Sequence, residues 1–249
     1  MVDIHTHILP TLDDGAETIQ ESLNLLKELK AQGVNTVIAT PHFYPQIDNS
    51  SSFISAREKS YSSLIANIKE DLPEIFLGCE LLYYENIGLS NSISQFCLSN
   101  SNYLLLELTD DFINEKLFFD LLNLKSKNII PIIAHIERYA YAKKYHKFLK
   151  FIKKEKILTQ INASAVLDEY GYKIIKKLIK KDIVSFIASD THSVDFRPPQ
   201  MADAIEILSL DFGKDYTEKL INNSLNLAKA LKNIMESEQN DKNQQSYTR

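Results

Sequence analysis

Within the first fourteen residues, His5 and His7 stand two apart in an apolar run that reads as a short strand. Residues two apart on a strand face the same side, so both imidazoles can converge on one point. Asp14 follows seven residues after His7, and Gly15 then marks a turn. Two histidines and a nearby carboxylate suit a divalent transition metal. Alone, the pair fits two half-exposed polar residues equally well, so the decision rests on where the other ionisable residues fall. His42, Glu80, Glu107, His135, Asp190 and His192 each lie at or just past the C-terminal end of a stretch that reads as a strand. Five of the six histidines join this set, and only His146 stands outside it. Imidazoles and carboxylates without thiolates point to manganese, zinc or iron in an open site rather than to a closed structural zinc. Several such metals together favour hydrolysis, because they lower the pKa of a bound water and clamp phosphoryl oxygens.

The elements that must position these residues alternate along the chain. Thr18 and Glu21 form a capping-box pattern, and Leu23, Leu26 and Leu29 trace one face of a helix that ends at Gly33. The β-branched run 34–40 is a buried strand delivering Pro41-His42, and an amphipathic helix follows over 54–71. Strand 74–79 delivers Glu80, a weakly patterned helical stretch covers 87–98, and strand 103–108 carries Glu107. Helix 115–127 leads to strand 129–134, which delivers His135. Helix 145–156, strand 158–162, helix 169–181 and strand 183–189, delivering Asp190 and His192, continue the pattern. Helices over 201–212 and 216–235 close it. About seven strands alternating with helices predict parallel strands and right-handed crossovers. A closed parallel α/β barrel fits 249 residues as one domain, with a flat doubly wound sheet as the alternative. In the barrel all the strand C-termini share one face, where active sites lie. The expected domain spans 1–236, and residues 237–249, polar and without apolar period, read as a disordered tail.

Composition removes other classes. A hydrophobic share of 44% with 24% charged residues is that of an ordinary soluble globular protein. No apolar run approaches the roughly 20 residues a membrane span needs, and no signal peptide is legible, so a cytoplasmic protein without a transmembrane segment is expected. The net charge of -5 argues against a general nucleic-acid binder. A phosphatase with a cysteine nucleophile places an arginine six residues later, but Glu85 and Tyr103 occupy those positions after Cys79 and Cys97. The six glycines form no dinucleotide or P-loop element. Lys143, Lys144, Lys147, Lys150, Lys153, Lys154 and Lys156 make one helix strongly basic. A solvated outer helix is the favoured reading over a docking face for an acidic tail or anionic lipid.

The motifs Asp3-Ile4-His5-Thr6-His7, Asp13-Asp14-Gly15, Thr40-Pro41-His42, Gly78-Cys79-Glu80, His135-Ile136-Glu137-Arg138-Tyr139, Ser189-Asp190-Thr191-His192 and Arg197-Pro198-Pro199 together resemble a known family. The chain is similar, over residues 2 to about 235, to the PHP-type phosphoesterases. Within them it resembles the metal-dependent bacterial protein-tyrosine phosphatases of capsule and exopolysaccharide operons, the CpsB/CapC/YwqE group. The resemblance implies a distorted (β/α)7 barrel of the TIM-like PHP type with three metal sites. One would use His5, His7, Glu80 and Asp190, a second Glu107 and His135 with Glu80 bridging, and a third Asp14, His42 and His192. Mn2+ is favoured by the oxygen-rich donors, with zinc or iron as alternatives. Arg138 and Arg197 are candidates to hold the phosphoryl group, since a guanidinium matches phosphate oxygens bidentately. The implied partner is the phosphotyrosine tail of a bacterial tyrosine autokinase that controls polysaccharide synthesis, and an oligomer is left open. Two other readings stand beside it: a small-molecule phosphatase acting on histidinol phosphate, and a non-catalytic metal-binding partner of the kinase.

Overall fold

The computed structural model describes residues 1–109, 111 and 113–247. Its strands are β1 (Val2–Thr6), β2 (Thr36–Ala39), β3 (His42–Phe43), β4 (Glu74–Leu77), β5 (Glu80–Leu82), β6 (Tyr103–Glu107), β7 (Ile130–Ile133), β8 (Leu158–Asn162) and β9 (Phe186–Ala188). The α-helices are α1 (Ile19–Ala31), α2 (Ser50–Ile65), α3 (Glu115–Ser126), α4 (Tyr145–Glu155), α5 (Ala163–Leu167), α6 (Glu169–Lys180), α7 (Met201–Phe212) and α8 (Lys214–Tyr247). Every paired strand is parallel, as the alternation predicts.

The strands run in two sheets, ordered β1-β2-β4 and β3-β5-β6-β7-β8-β9. The result is a mixed α/β fold with a curled parallel sheet, its strands in two ladders where the expectation is one closed (β/α)7 barrel. Two strands are interrupted, at Thr40-Pro41 between β2 and β3 and at Gly78-Cys79 between β4 and β5. Pro41 has no N–H to give to a ladder, yet its carbonyl accepts from Glu80 at 3.0 Å, and Gly78 donates to Ala39 at 2.8 Å. Beyond β9, Asp190 N–H donates to the His5 carbonyl and His7 N–H to the Thr191 carbonyl, each at 2.9 Å. These bonds bring the segment after β9 against the end of β1.

Local chemistry sets the elements. Thr18 caps α1, its hydroxyl accepting from Glu21 N–H at 3.1 Å, while the Glu21 carboxylate accepts from Glu17 N–H at 2.9 Å. Past the helix end, Gly33 takes φ +80°, the left-handed form that only glycine adopts freely. The stretch 87–98 departs from expectation. It forms short 3₁₀ turns, Ile87–Leu89, Ile93–Phe96 and Leu98–Asn100, in place of a helix. Buried Asp120 of α3 holds the first of them, accepting from Asn86 N–H at 2.9 Å and Gly88 N–H at 3.2 Å.

One apolar cluster draws on many strands at once: Val2, Ile38, Phe76, Leu105, Ile132 and Phe186 meet Leu227 and Leu231 of α8. It fills the inside of the curl, and α8 covers it from the N-terminal ends of the strands. A larger cluster packs the helices on the outer surface. Helix α8 continues to Tyr247, through most of the stretch 237–249 expected to be a disordered tail; residues 248 and 249 lie outside the described residues. The basic helix is α4, whose Phe148, Leu149 and Ile152 face the core.

Candidate metal centre

All nine residues read as metal ligands gather at the C-terminal ends of the strands. His5 Nε2 lies 3.1 Å from His7 Nε2, 3.3 Å from Glu80 Oε2 and 3.4 Å from Asp190 Oδ1. His7 Nε2 is 3.5 Å from each of the same two oxygens. Four donors at about 2.1 Å from a common centre, set tetrahedrally, would stand about 3.4 Å apart. His135 Nε2 is 2.9 Å from Glu80 Oε1 and 3.5 Å from Glu107 Oε1. Asp14 Oδ1 lies 3.4 Å from His42 Nε2 and 3.3 Å from His192 Nε2. His42 also turns Nδ1 toward Glu80 Oε2 at 2.9 Å, so it stands between the second and third groups. Asp14 is the outlying member, its side chain 66% exposed while His5, His7 and Glu80 are buried.

Hydrogen bonds behind the site fix the tautomers. His5 Nδ1 meets Gln160 Oε1 at 3.2 Å, and His7 Nδ1 meets Asp13 Oδ2 at 2.7 Å. Both partners are acceptors, so the proton resides on Nδ1 and each Nε2 presents a lone pair. Gln160 is itself oriented, its amide donating to Asn162 Oδ1 at 2.7 Å and its carbonyl accepting from His135 N–H at 2.9 Å. His192 Nδ1 donates to the Asp190 carbonyl at 2.9 Å, which again leaves Nε2 with a lone pair. Lone pairs of two imidazoles and two carboxylates therefore point at one small volume. Glu80 Oε2, His42 Nδ1 and His192 Nε2 are buried without a hydrogen-bond partner. Divalent cations held here would satisfy the lone pairs of Glu80 Oε2 and His192 Nε2, and these residues fit such metals.

The electrostatics agree. Burial raises the Glu107 carboxyl to about 7, reinforced by the charge of Glu80. Burial also opposes ionisation of Glu80, but the imidazoles of His5, His135 and His42 around it hold the carboxyl well below the usual range. For His192, burial and the neighbouring His7 and Arg197 lower the imidazole to about 4.

Arg138 and Arg197 do not point into open space, and Arg138 makes its ion pair with Asp190 rather than with its neighbour Glu137. The Nη2 atoms of both arginines lie 2.7 Å from Asp190 Oδ2, as does Asn162 Nδ2. Asp190 thus divides its carboxylate, one oxygen toward the histidines and the other toward two cations. The two arginine side chains stay 45% and 38% exposed, with further N–H donors free of Asp190. Asp190 and His135 both adopt left-handed backbone, φ 54° and 30°, directly after β9 and β7. Strain of this kind collects where side chains must be aimed.

Several contributors escaped the sequence reading. Asp13, within the Asp13-Asp14-Gly15 motif, holds His7, Gly15 N–H and His42 N–H together. Tyr139 OH stands 3.1 Å from His135 Nδ1 and accepts from Leu108 N–H. Arg57 of α2 is buried and donates to the Gly78 carbonyl at 2.9 Å, steadying the break that precedes Glu80. Gln160 and Asn162 carry a period-two signal, lying two apart at the end of a strand.

The family model for capsular polysaccharide synthesis, CpsB/CapC, matches residues 1–230. The chain belongs to the CpsB/CapC family. It is 31% identical to the tyrosine-protein phosphatase CpsB of Streptococcus agalactiae, covering 88% of this chain and 94% of the relative. It is 29% identical to the tyrosine-protein phosphatase YwqE of Bacillus subtilis, covering 90% of each. Among solved structures it is similar to one reported with YwqE from Bacillus subtilis and CpsB from Streptococcus pneumoniae, described as metal-dependent tyrosine phosphatases. The TM-score is 0.80 at 25% identity, covering 90% of this chain and 92% of that one. The phosphotriesterase homology protein of Escherichia coli, TM-score 0.52 at 10% identity, shares the fold alone. No helix among the described residues is long and apolar enough to cross a membrane.

Proposed function

We propose that this chain is a metal-dependent protein-tyrosine phosphatase serving capsular or exopolysaccharide synthesis. The observation that carries the reading is the shared Asp190: its inner oxygen belongs to the imidazole–carboxylate cluster, and its outer oxygen gathers two half-exposed arginines. A phosphoryl group presented there meets donors for cations on one side and guanidinium forks on the other.

His5, His7, Glu80 and Asp190 would hold one cation, and Glu80, Glu107 and His135 a second. Asp14, His42 and His192 would hold a third. Four carboxylates among nine ligands favour Mn2+, with zinc or iron as alternatives. When bound, divalent cations supply an activated water at neutral pH and counter the charge on phosphoryl oxygens. Asp13 and Gln160 keep the imidazoles in the tautomer that presents Nε2. Arg138 and Arg197 orient the phosphoryl group and neutralise charge that grows on its oxygens. The leaving phenol has a pKa of about 10, which makes a strong general acid unnecessary. The interrupted pairs β2/β3 and β4/β5 each act as one broken barrel strand in this reading, and the bonds from Asp190 and His7 close a distorted (β/α)7 barrel. The protein substrate we infer is the phosphorylated tyrosine tail of a bacterial tyrosine autokinase, met in the cytoplasm.

The test is a phosphatase assay with added Mn2+ comparing a phosphotyrosine peptide, a phosphoserine peptide and histidinol phosphate. Turnover of phosphotyrosine, lost on chelation, is expected. Rapid turnover of histidinol phosphate alone overturns the substrate, and activity insensitive to chelators overturns the metal chemistry.

A further inference from the structure

A cleft opens beside the arginine pair, and apart from Arg138 and Asn162 its lining lies outside the groups assigned to metal or phosphate. One wall is the 3₁₀ turn Ile136–Tyr141, and the other is α5 with the first turn of α6. It measures about 380 Å³ and is lined by Arg138, Tyr141, Asn162, Ser164, Asp168 and Tyr170 among others, a size in the range of pockets that bury a small ligand. Arg138 and Asn162 belong equally to the catalytic face, each donating to Asp190 Oδ2 at 2.7 Å. The cleft therefore begins at the atom where the phosphoryl-binding groups converge.

Its walls are aromatic and firmly held. Side chains three apart in a 3₁₀ turn eclipse one another, so Tyr141 shares a side of the turn with Arg138. Tyr141 is 79% exposed and Tyr170 is 70% exposed. The backbone beneath Tyr170 is fixed, because Asp168 caps α6 by accepting from Gly171 N–H at 2.7 Å, and Lys173 Nζ lies 5.4 Å from the centre of the Tyr170 ring. Gly171 also lies so close to α5 that a Cβ there would come within 2.6 Å of the Ala165 carbonyl. Of the charged groups in the lining, Arg138 is engaged by Asp190 and Asp168 by the cap, while Glu137 is buried, one oxygen accepting from Asn162 N–H at 3.3 Å and the other without a partner. What remains offered to a ligand is two rings and the Ser164 hydroxyl, which suits peptide backbone and an apolar or planar side chain.

We propose that this cleft is the subsite for the polypeptide residues adjoining the phosphotyrosine, with Tyr141 and Tyr170 as its specificity-determining walls. The proposal rests on the tyrosine-phosphatase reading and deepens it. A small phosphate ester ends at the arginines and leaves the cleft empty, whereas a polypeptide continues into it.

The test is steady-state kinetics of the metal-loaded enzyme on a phosphotyrosyl decapeptide and on p-nitrophenyl phosphate. Wild type is compared with Tyr141→Ala, Tyr170→Ala and Tyr141→Phe. Both positions are exposed, so unchanged thermal melting serves as the folding control. Each alanine variant raises KM for the peptide about tenfold, the loss of roughly one aromatic contact, with kcat and the small ester unaffected. Tyr141→Phe keeps the ring and stays near wild type. Equal losses on both substrates, or no loss on the peptide, overturn the subsite while the phosphatase reading stands. A wild-type enzyme that cannot hydrolyse the peptide overturns both, and it does so before any variant is compared.

Discussion

Replacing Asp13 by Asn changes no volume but removes a charge from behind the metal centre. The carboxylate accepts from His7 Nδ1–H at 2.7 Å, His42 N–H at 3.0 Å and Gly15 N–H at 3.0 Å. An amide has one oxygen and one NH2, so in either orientation it faces a donor with a donor. With the NH2 toward His7, the imidazole shifts its proton to Nε2 and withdraws the lone pair that faces His5, Glu80 and Asp190. A charge-assisted bond of this kind contributes about 1.5–3 kcal/mol. Removing the group that orients a metal-binding histidine costs roughly 10–100-fold in affinity or activity, or about 1.4–2.7 kcal/mol at 1.36 per decade, so the two routes agree. The assay is metal affinity by competition with a chromogenic chelator, followed by kcat at saturating Mn2+, with circular dichroism confirming the fold. Affinity and kcat both within twofold of wild type would refute the tautomer argument and reduce Asp13 to a brace for its loop.

Further outcomes follow from other parts of the structure. Arg138→Ala or Arg197→Ala lowers kcat/KM on a phosphotyrosine peptide by about tenfold or more while metal content by emission spectroscopy stays normal, since Asn162 and the remaining arginine still hold Asp190. Asp120→Ala removes the buried acceptor of Asn86 and Gly88 N–H. It costs about 2–4 kcal/mol in a urea titration while leaving kcat per folded molecule unchanged, as expected of a residue remote from the chemistry. Stripping with EDTA abolishes activity and lowers Tm, and Mn2+ at 100 times its Kd restores about 2.7 kcal/mol of stability. A Tm indifferent to chelation and re-addition would count against a metal centre built from buried donors.

The candidate ligands are legible because they lie at or past the ends of parallel strands, where all the strands deliver their residues to one face. The two-residue spacing of a strand reads for His5 and His7, whereas Asp190, past the end of β9, is aimed by a left-handed backbone. Family resemblance then supplied the grouping that spacing alone left open. What stayed illegible acts through single long-range bonds. Gln160 reaches His5 across 155 positions of sequence, and no local pattern announces that contact. Nor does the sequence show that Arg138 and Arg197 converge on one oxygen, since each is separated from Asp190 by a turn with its own geometry. The strand breaks had a local cue in Pro41 and Gly78, but the consequence, two sheets in place of one, depends on how four short strands share their registers. The stretch 87–98 misled because its apolar residues pack in 3₁₀ turns stapled by Asp120, a tertiary partner that outweighs its helical pattern.

The divided carboxylate of Asp190 ties two binding equilibria together. An anion that engages Arg138 and Arg197 draws positive charge away from Oδ2, leaving Asp190 more electron-rich toward a cation beside His5 and His7. Thermodynamic reciprocity then requires a cation at that position to tighten the anion by the same factor. Substrate and cation would thus retain one another, and departure of the product phosphate would lower the affinity for the cation by that same factor.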